Sequence, residues 1–362
     1  MADAYLIVGP GAIGTYIGGH LALAGRRVVF WARAGSGARL RTRGLIIRSA
    51  TGPPRRVPPD ALGVVTSAEE ALRAGPYRAA FLTVKTYHLA DVLPALRRAA
   101  NAWPVLVDLL NGVGSTERLR SVLGPDAVLP GTVTTAVERR GPGDITVARP
   151  RGLGLTRHPA TEALAATLEG AGLTVRLYPD GRALKWTKLL TNLLGNATSA
   201  ILDWPPSRIY AHPGLFALER AQLREALAVM DALGLEVVAL PGTPSRALAW
   251  GARHVPSWLL RPILRYKVGR GRGAKMPSLH QDVHQGKRQT EIDALHGAVA
   301  RTARDLGLPA PTNALLAGLV RGLSQGDISP ETFRHNPAAL LTRWRAALEP
   351  PPSRAASNRI RR

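Results

Sequence analysis

The chain has 362 residues, of which 45% are hydrophobic, so its length and composition allow two domains with sizeable cores. It contains no cysteine, which excludes disulfides and thiolate metal sites, and it carries a formal net charge of +23. That charge would suit a nucleic acid, an anionic membrane or an anionic ligand, but no zinc-finger, RNP or helix-turn-helix signature accompanies it, and an arginine-rich solvated surface is the simpler interpretation.

The N-terminus lacks a signal-peptide pattern, and no window reaches the roughly 20 apolar residues needed to span a bilayer. We therefore expect a soluble, cytoplasmic protein with no nucleic-acid partner and no membrane partner.

The first half of the chain alternates strand and helix patterns. Strand patterns cover residues 4–8, 27–31, 79–84 and 105–110, and helix patterns cover 68–74 and 87–100. This alternation predicts an α/β domain with a mainly parallel sheet wrapped by helices. The stretches 131–137 and 144–147 flank a turn and predict a hairpin appended to that sheet.

After about residue 180 the pattern becomes helical. Long helix patterns cover residues 183–202, 213–233 and 290–306, so we expect an all-helical second domain. Proline and glycine interrupt residues 241–275, which we predict to be a loop or short-helix insertion. Its apolar and basic residues could touch a membrane surface, but a partly buried connector is the more common outcome. The predicted domains are 1–179, 180–348 and a disordered basic tail, 349–362.

A glycine turn follows the first strand and opens a helix. Gly9, Gly11 and Gly14 form GxGxxG, which allows a tight turn, close approach to a pyrophosphate, and close packing of helix on strand. The N–H groups of the first helical turn, at Ala12 and Ile13, would face the phosphates. This context predicts a dinucleotide-binding unit.

Three further strand ends carry polar groups that bear on the cofactor. The second strand ends near Arg33 and lacks the acidic residue that would bind the ribose of NAD, so a 2′-phosphate and NADP(H) are favoured. A simple surface arginine is the alternative. Lys85 follows the third strand and is a candidate for the cofactor phosphates, while Asn111 follows the fourth and is either a ligand contact or only part of a turn.

The segment KWTKLLTNLLGN places Lys188, Asn192 and Asn196 four residues apart, on one face of a predicted helix. Taken alone, such a polar stripe more often marks solvent exposure than catalysis. The histidines at 280, 284 and 296 raise the question of a metal. Because no third ligand is placed beside the first two, we predict no metal site.

Taken in order, the motifs GPGAIG, LTVK, LLNGVGS, KWTKLLTNLLGN and PSLHQDVHQGKRQTEIDALHGAV cover nearly the whole chain. This chain resembles the ketopantoate reductases (2-dehydropantoate 2-reductases), NADPH-dependent enzymes of pantothenate and coenzyme A synthesis. The resemblance implies a Rossmann-like N-terminal domain, a helical C-terminal domain like that of 6-phosphogluconate dehydrogenase, and a substrate cleft between them.

The resemblance also implies residue roles. Lys188 matches the family's catalytic lysine, and Glu291 matches the glutamate near the reacting oxygen. The implied substrate contacts are Asn111, Asn192, Asn196 and Ser278. Of these, Asn111 would lie between cofactor and substrate, and Ser278 would hold the substrate carboxylate. Arg33 and Lys85 match the basic pair near the adenosine phosphate.

The chain departs from the family pattern in three places. Between Asp282 and Glu291 it is one residue longer, which would turn a continuous helix face by about 100° unless a bulge near Gly286 absorbs it. The stretch 241–275 is longer than in compact members, and Thr198 stands where proline is frequent. Each departure bears on substrate choice more than on hydride chemistry.

The expected activity is NADPH-dependent reduction of 2-dehydropantoate to (R)-pantoate. Reduction of another small 2-oxo acid is the alternative within the same chemistry, and a non-catalytic NADP(H)-binding sensor is the alternative from another class. Helical C-terminal domains of this kind often pair, so a homodimer is one expected state.

Overall fold

The computed structural model describes residues 4–50, 52–272 and 276–349. The chain forms two compact units: unit 1 comprises Met1–Leu189 and Leu235–Arg246, and unit 2 comprises Leu190–Gly234 and Ala247–Arg362. The division near residue 190 lies close to the expected domain boundary, and a short returning segment joins the first unit. Apart from Glu349, the predicted basic tail lies outside the described residues.

Unit 1 is built around strands. They are β1 Ala4–Val8, β2 Arg27–Trp31, β3 Leu45–Ser49, β4 Arg55–Val57, β5 Leu62–Val65, β6 Tyr77–Leu82, β7 Leu106–Asp108, β8 Val128–Val133, β9 Ala136–Gly141, β10 Asp144–Arg149, β11 Leu153–Thr156 and β12 Val175–Tyr178. Every residue of β1 is buried, as expected of a central parallel strand covered on both faces.

The strands form two sheets. The larger has the order β12-β11-β8-β7-β6-β1-β2-β5 and is parallel except where β11 pairs with β8. The smaller has the order β4-β3-β10-β9. Strands β9 and β10 form a hairpin, but its first arm begins at Ala136, because residues 131–133 of the predicted arm belong to β8. The hairpin pairs through β3 in the smaller sheet instead of extending the larger one.

Helices cover the sheets of unit 1. They are α1 Ala12–Leu23, α2 Ala34–Arg43, α3 Ala68–Arg73, α4 Leu89–Arg98, α5 Ser115–Leu123, α6 Pro159–Gly170 and α7 Gly181–Leu193, whose last turn belongs to unit 2. Apolar side chains from alternate positions of the strands fill two cores, one containing Ile7 and Phe30, the other Leu6 and Leu82. The predicted α/β architecture is confirmed.

The regular elements described in unit 2 are helical, as predicted. The remaining helices are α8 Asn196–Leu202, α9 Pro206–Ala211, α10 Pro213–Ala232, α11 Ser245–His254, α12 Ser257–Arg272, α13 Ser278–His284, α14 His296–Asp305, α15 Pro311–Gln325 and α16 Pro337–Leu348. Among the described residues, no helix combines the length and apolar character required to cross a bilayer.

Three helix predictions need correction. The predicted helix over 183–202 is two helices, because Gly195 adopts a left-handed φ of 59° between α7 and α8. The stretch 241–275, predicted as a loop or short-helix insertion, contains the helices α11 and α12, and α12, with 16 residues, is longer than a short helix. The predicted helix over 290–306 begins as the 3₁₀ helix Glu291–Ala294 and breaks at Leu295 before α14.

Candidate functional site

The glycine turn, residues 9–14, connects β1 to α1. Gly9 has a φ of +98°, which a side chain would strain, and a Cβ atom there would lie 2.8 Å from Val84 Cγ1. A Cβ atom at Gly14 would lie only 2.2 Å from the carbonyl oxygen of Gly9 and 2.6 Å from Thr83 Oγ1. Both glycines are therefore required by the fold itself.

Gly11 differs from the other two glycines. A Cβ atom there would meet nothing nearer than Thr83 O at 3.7 Å, an ordinary contact. Gly11 is also the N-cap of α1, and no side chain caps the helix. Packing does not explain this glycine, whereas close approach of a phosphate to the backbone does, so the turn fits a dinucleotide.

Thr83 holds the glycine turn against the neighbouring strand. Its hydroxyl donates hydrogen bonds to the carbonyl oxygens of Gly9 (2.8 Å) and Val8 (3.0 Å), and its N–H donates to Val8 at 3.0 Å. No role was predicted for this threonine, although it lies within the LTVK motif. Because Lys85 follows two residues later, these hydrogen bonds also hold the start of the loop that carries Lys85 against the turn.

The sheet order lines up the predicted cofactor residues of unit 1. Strands β7, β6, β1 and β2 are neighbours and parallel, so their carboxyl ends share one edge of the sheet. Along this edge follow Asn111, Lys85, the glycine turn and Arg33, in that order. This edge is where ligands bind in open α/β sheets.

Arg33 has close polar neighbours on the loop and helix after β6. Its Nη2 atom lies 2.8 Å from His88 Nδ1 and 3.1 Å from Asp91 Oδ2. The His88 Nδ1 atom also lies 3.0 Å from Asp91 Oδ2. Burial, and then the nearby Arg33 cation, lower the pKa of His88, which favours the neutral ring that accepts a hydrogen bond from Arg33.

The carboxylate of Asp91 was not anticipated beside Arg33, because the sequence around β2 contains no acid. It comes from α4, a separate element. The Arg33 and Asp91 side chains are both mostly exposed, so their ion pair contributes little and a stronger anion can displace it.

Lys85 and Asn111 lie on adjoining loops. Lys85 is half-buried directly after β6, near enough to His88 to contribute to lowering the pKa of that ring. The next residue, Thr86, donates its hydroxyl to the backbone carbonyl of Asn111 at 3.0 Å. Asn111 is exposed. The structure therefore brings these two predicted residues to neighbouring positions on the sheet edge.

A buried ion pair attaches α7 to the loop that carries Asn111. Lys185 Nζ lies 3.2 Å from Asp108 Oδ2 and donates to the carbonyl oxygen of Leu110 at 2.8 Å. Asp108 also accepts the hydroxyls of Ser115 (2.7 Å) and Thr116 (2.6 Å), so hydrogen bonds as well as the ion pair stabilise its buried charge. Sequence reasoning missed this pair, although an acid inside the apolar strand VLVDLL was its signal.

Lys188 and Asn192 lie one turn apart on α7. Both side chains are half-buried, whereas Leu189, Leu190 and Leu193 are buried. The predicted polar stripe is therefore present on α7 and is not a fully solvated face. Lys188 belongs to unit 1 and follows Lys185 by one turn, so the ion pair to Asp108 fixes the helix that carries it.

Asn196 was predicted to continue that stripe on the same helix, but it begins α8. A buried carboxylate, Glu219, holds the turn between α7 and α8: it accepts the N–H of Gly195 (2.8 Å) and the hydroxyls of Thr198 (2.6 Å) and Tyr210 (2.8 Å). Thr198 thus provides a hydrogen bond to this carboxylate. Glu219 was not identified from the sequence.

The amide of Asn196 bridges two helices of unit 2. Its Nδ2 atom donates to the carbonyl oxygen of Asn192 at 3.0 Å, and its Oδ1 atom accepts the N–H of Leu279 at 3.2 Å. Leu279 follows Ser278, the exposed first residue of α13. Asn196 therefore fixes the start of α13 and, with it, the position of Ser278.

The chain between Asp282 and Glu291 is not one continuous helix. Helix α13 ends at His284, and Gly286 adopts a φ of +70° with the N–H of Lys287 bonded to the carbonyl oxygen of Asp282. Because the helix ends in this glycine turn, an added residue in the stretch would not rotate a continuous helix face. Glu291 is buried at the start of a 3₁₀ helix.

The three histidines separate into a pair and a single residue. His280 and His284 lie with Asp203, their possible ligand atoms all within 4.8 Å of one another. Asp203 Oδ1 accepts from His280 Nε2 at 2.7 Å, and Arg334 Nε lies 3.3 Å from the other oxygen. The prediction of no metal assumed that no third possible ligand lies beside His280 and His284, and Asp203 does lie there. The absence of a metal site therefore stays a prediction.

Comparison with known proteins covers both units. The family model described as ketopantoate reductase PanE/ApbA matches residues 5–158, and the model for the C-terminal part of the same family matches residues 180–324. The chain belongs to the ketopantoate reductase family. It is therefore an oxidoreductase that uses a nicotinamide cofactor, which agrees with the fit of the glycine turn to a dinucleotide.

Similar proteins span nearly the whole chain. A 2-dehydropantoate 2-reductase of Halobacterium salinarum is 31% identical over 335 residues, covering 89% of this chain and 99% of the relative. The crystal structure of a ketopantoate reductase from Ralstonia eutropha JMP134 has a TM-score of 0.75 at 26% identity, covering 89% and 99% of the two chains. D-mandelate dehydrogenase, solved with NADH and anilino(oxo)acetate, shares the fold with a TM-score of 0.74 at 18% identity, covering 90% and 100%.

Proposed function

We propose that this protein reduces 2-dehydropantoate to (R)-pantoate with NADPH, a step toward pantothenate and coenzyme A. The observation that carries the proposal is the row of Asn111, Lys85, the glycine turn and Arg33 on one sheet edge, with the Lys188 helix tied to the same edge by the buried ion pair. The relatives named 2-dehydropantoate 2-reductase support the choice of substrate.

NADPH is the proposed cofactor because the end of β2 offers a cation and no carboxylate of its own. The planar guanidinium of Arg33 suits a 2′-phosphate, which would replace the exposed contact with Asp91. Lys85, beside His88, would add a second positive charge. When bound, the reduced nicotinamide would supply the hydride.

Lys188 is the proposed proton donor. As the substrate's C2 carbonyl carbon accepts the hydride, its oxygen gains negative charge, which a half-buried ammonium group stabilises. Lys188 then transfers a proton to that oxygen, giving the C2 hydroxyl, and the neutral amine regains a proton from water. Asn111, on the sheet edge, would orient the groups that react.

The remaining proposed roles lie in unit 2. Glu291, a buried carboxylate, would accept a hydrogen bond from the product hydroxyl, and Ser278 would donate to the substrate carboxylate. Asn192 would bind the distal hydroxyl. Asn196 would share that role, although its amide already holds α13, so its removal would also misplace Ser278.

Another small 2-oxo acid is the second candidate substrate. Two observations favour this alternative. The fold is similar to that of D-mandelate dehydrogenase, and the chain has the helices α11 and α12 where compact relatives are expected to be shorter. A non-catalytic NADP(H) sensor is the third. It does not explain why Lys188, Asn192, Asn196 and Glu291 are all retained.

The test is a turnover assay that follows the loss of NADPH absorbance with 2-dehydropantoate and with a panel of other 2-oxo acids. We expect fast turnover with 2-dehydropantoate and NADPH. Faster turnover on another oxo acid would replace the substrate but keep the chemistry. Tight NADPH binding without turnover on any oxo acid would favour the sensor.

A further inference from the structure

The helices α11 and α12 carry an exposed apolar patch that the reductase chemistry does not use. Its members are Trp250 (62% exposed), Trp258 (72%), Leu259 (42%), Ile263 (51%) and Tyr266 (58%). These five are most of the large apolar side chains that lie exposed in the described part of the chain. Such a concentration of exposed apolar side chains on two consecutive helices marks an interaction site.

The geometry of α12 groups these side chains on one side. At about 100° per residue, Trp258, Leu259 and Ile263 fall within one outward sector with Tyr266. Leu260 is buried and packs against Gly251 of α11. A Cβ atom at position 251 would lie 2.9 Å from Leu260 Cδ1, so the glycine allows this close contact. One side of the helix thus anchors it, and the opposite side displays the patch.

The base of the patch is fixed to α10. Arg220 and Arg224 donate to the carbonyl oxygen of Ala252 at 3.0 and 2.8 Å, and Arg224 also donates to that of Arg253 at 2.9 Å. Arg220 further donates to Ser257 Oγ at 2.8 Å. These hydrogen bonds hold the end of α11 and the start of α12 in place, and with them the backbone that carries the aromatic side chains.

The segment that carries the patch is basic, although Arg253 at the end of α11 pairs with Asp231 of α10. Residues 237–281 contain eight Lys or Arg residues and no Asp or Glu. Two of the arginines, Arg261 and Arg265, line a groove between α9 and α12 together with Trp258 and Tyr266. Aromatic and aliphatic groups thus stand directly beside cations, and no carboxylate of this segment neutralises them.

We propose that the α11–α12 patch binds the surface of an anionic lipid bilayer. An interfacial helix needs apolar and aromatic side chains to enter the boundary of the acyl chains and basic side chains beside them to meet lipid phosphates. Trp258 and Ile263 supply the first kind of group, and Arg261 and Arg265 supply the second. The proposed contact is with the surface of the bilayer.

Two other partners fit the patch less well. A nucleic acid would use the arginines and stack on the aromatic rings, but it has no use for exposed Leu259 and Ile263. A second copy of the chain would bring Arg261 and Arg265 against their own counterparts, and the acid-free segment offers no carboxylate to offset the repulsion.

The experiment is co-sedimentation of the full-length protein with phosphatidylcholine vesicles that contain or lack phosphatidylglycerol. We expect binding only to the anionic vesicles, weakened by added salt. The variant Arg261→Glu plus Arg265→Glu should bind at least about 30-fold more weakly, since each basic residue near such a surface contributes about fivefold. Ile263→Ala plus Trp258→Ala should also weaken binding at constant charge.

Matched controls separate the patch from the overall charge. Arg39→Glu plus Arg43→Glu makes the same change at the same spacing on exposed positions of α2, and Leu348→Ala removes an equally exposed apolar side chain. Both should bind like the wild type. Equal loss in the α2 variant, or no binding to anionic vesicles, would overturn the proposal. So would a patch that instead binds duplex or single-stranded nucleic acid, or one whose removal dissociates a dimer.

Discussion

The ammonium group of Lys185 lies 3.2 Å from the carboxylate of Asp108, and both side chains are buried. This ion pair joins α7, which carries Lys188, to the loop after β7, which carries Asn111. The carboxylate also accepts two hydroxyls and the N–H of Leu110, so few of its hydrogen-bonding positions are left unmet. The Lys185–Asp108 ion pair was not predicted, yet it positions the elements that carry two predicted site residues, Lys188 and Asn111.

Breaking this pair should be costly. Lys185→Met leaves the Asp108 charge buried and unpaired, so we expect the free energy of unfolding to fall by about 3–5 kcal/mol. Arg157→Met, which breaks the exposed pair with Glu162, should cost at most about 1 kcal/mol. Chemical denaturation measures both. A second change, Asp108→Asn, should restore part of the stability of Lys185→Met, and no recovery would contradict the ion-pair explanation.

The choice of cofactor should depend on Arg33 and Asp91 in opposite directions. Arg33→Ala removes a charge-assisted hydrogen bond to a 2′-phosphate, so NADPH affinity should fall by about 10- to 100-fold while NADH affinity changes little. Asp91→Asn removes a competing carboxylate, so NADPH should bind up to about fivefold more tightly. Fluorescence titration gives both constants. Equal losses for the two cofactors in Arg33→Ala would exclude a 2′-phosphate contact.

The turn at Gly195 should matter for both stability and substrate binding. Gly195→Ala places a side chain at a φ of +59°, where its Cβ atom would lie 3.1 Å from Pro206. We expect a loss of about 1–2 kcal/mol from the backbone strain, with more from the contact, and a raised KM for the oxo acid because the turn separates Asn192 from Asn196.

Gly234→Ala is the matched control for this turn. Its φ is +67°, but nothing lies within 4 Å of the added Cβ atom. It should lose stability through strain alone and keep its KM. If Gly234→Ala raised the KM to the same degree, the effect would come from general destabilisation and not from the position of the asparagines.

Acid should destabilise unit 2 through His296. Burial lowers the pKa of this ring to about 3 in the folded state, against an ordinary value of 6.5. The unfolded chain therefore binds one more proton between these values, and the stability present above pH 6.5 falls as the pH drops toward 3. Burial also lowers the pKa of His280, with the same sign.

The contribution of His296 can be isolated by Gln substitution. His296→Gln has no titratable group and keeps a donor for Gln222 Oε1, which lies 2.8 Å from the ring. Between pH 6 and 4, its unfolding free energy should depend less steeply on pH than that of the wild type, by about 1.4 kcal/mol per pH unit. Identical slopes would show that other groups cause the acid sensitivity.

The sequence predicted the parts of the fold that depend on local patterns. The strands β1 and β2, the glycine turn and the long helix α10 follow from buried apolar runs, from GxGxxG and from helical periodicity. The prediction of one continuous helix over 183–202 was wrong. A single glycine such as Gly195 does not by itself end a helical pattern, and the carboxylate that accepts the Gly195 N–H at the break, Glu219, is distant in sequence. The length of helix α12 was missed because prolines and glycines suggested a loop or short helices.

The candidate site was predictable to the same extent. The residues at strand ends could be named from the sequence because parallel strands share a carboxyl edge. The partners that fix them could not: Asp91 reaches Arg33 from α4, and Lys185 reaches Asp108 across 77 positions of the chain. Such contacts depend on tertiary packing, which no local pattern contains.

The central claim is that Lys188 supplies the proton in the reduction of 2-dehydropantoate by NADPH. The most direct test compares NADPH oxidation by the wild type and by Lys188→Ala with this substrate, and measures NADPH binding to both proteins. We predict rapid turnover by the wild type, a kcat lower by a factor of about 100 or more in the variant, and near-equal NADPH affinities. Wild-type turnover by Lys188→Ala would contradict the account.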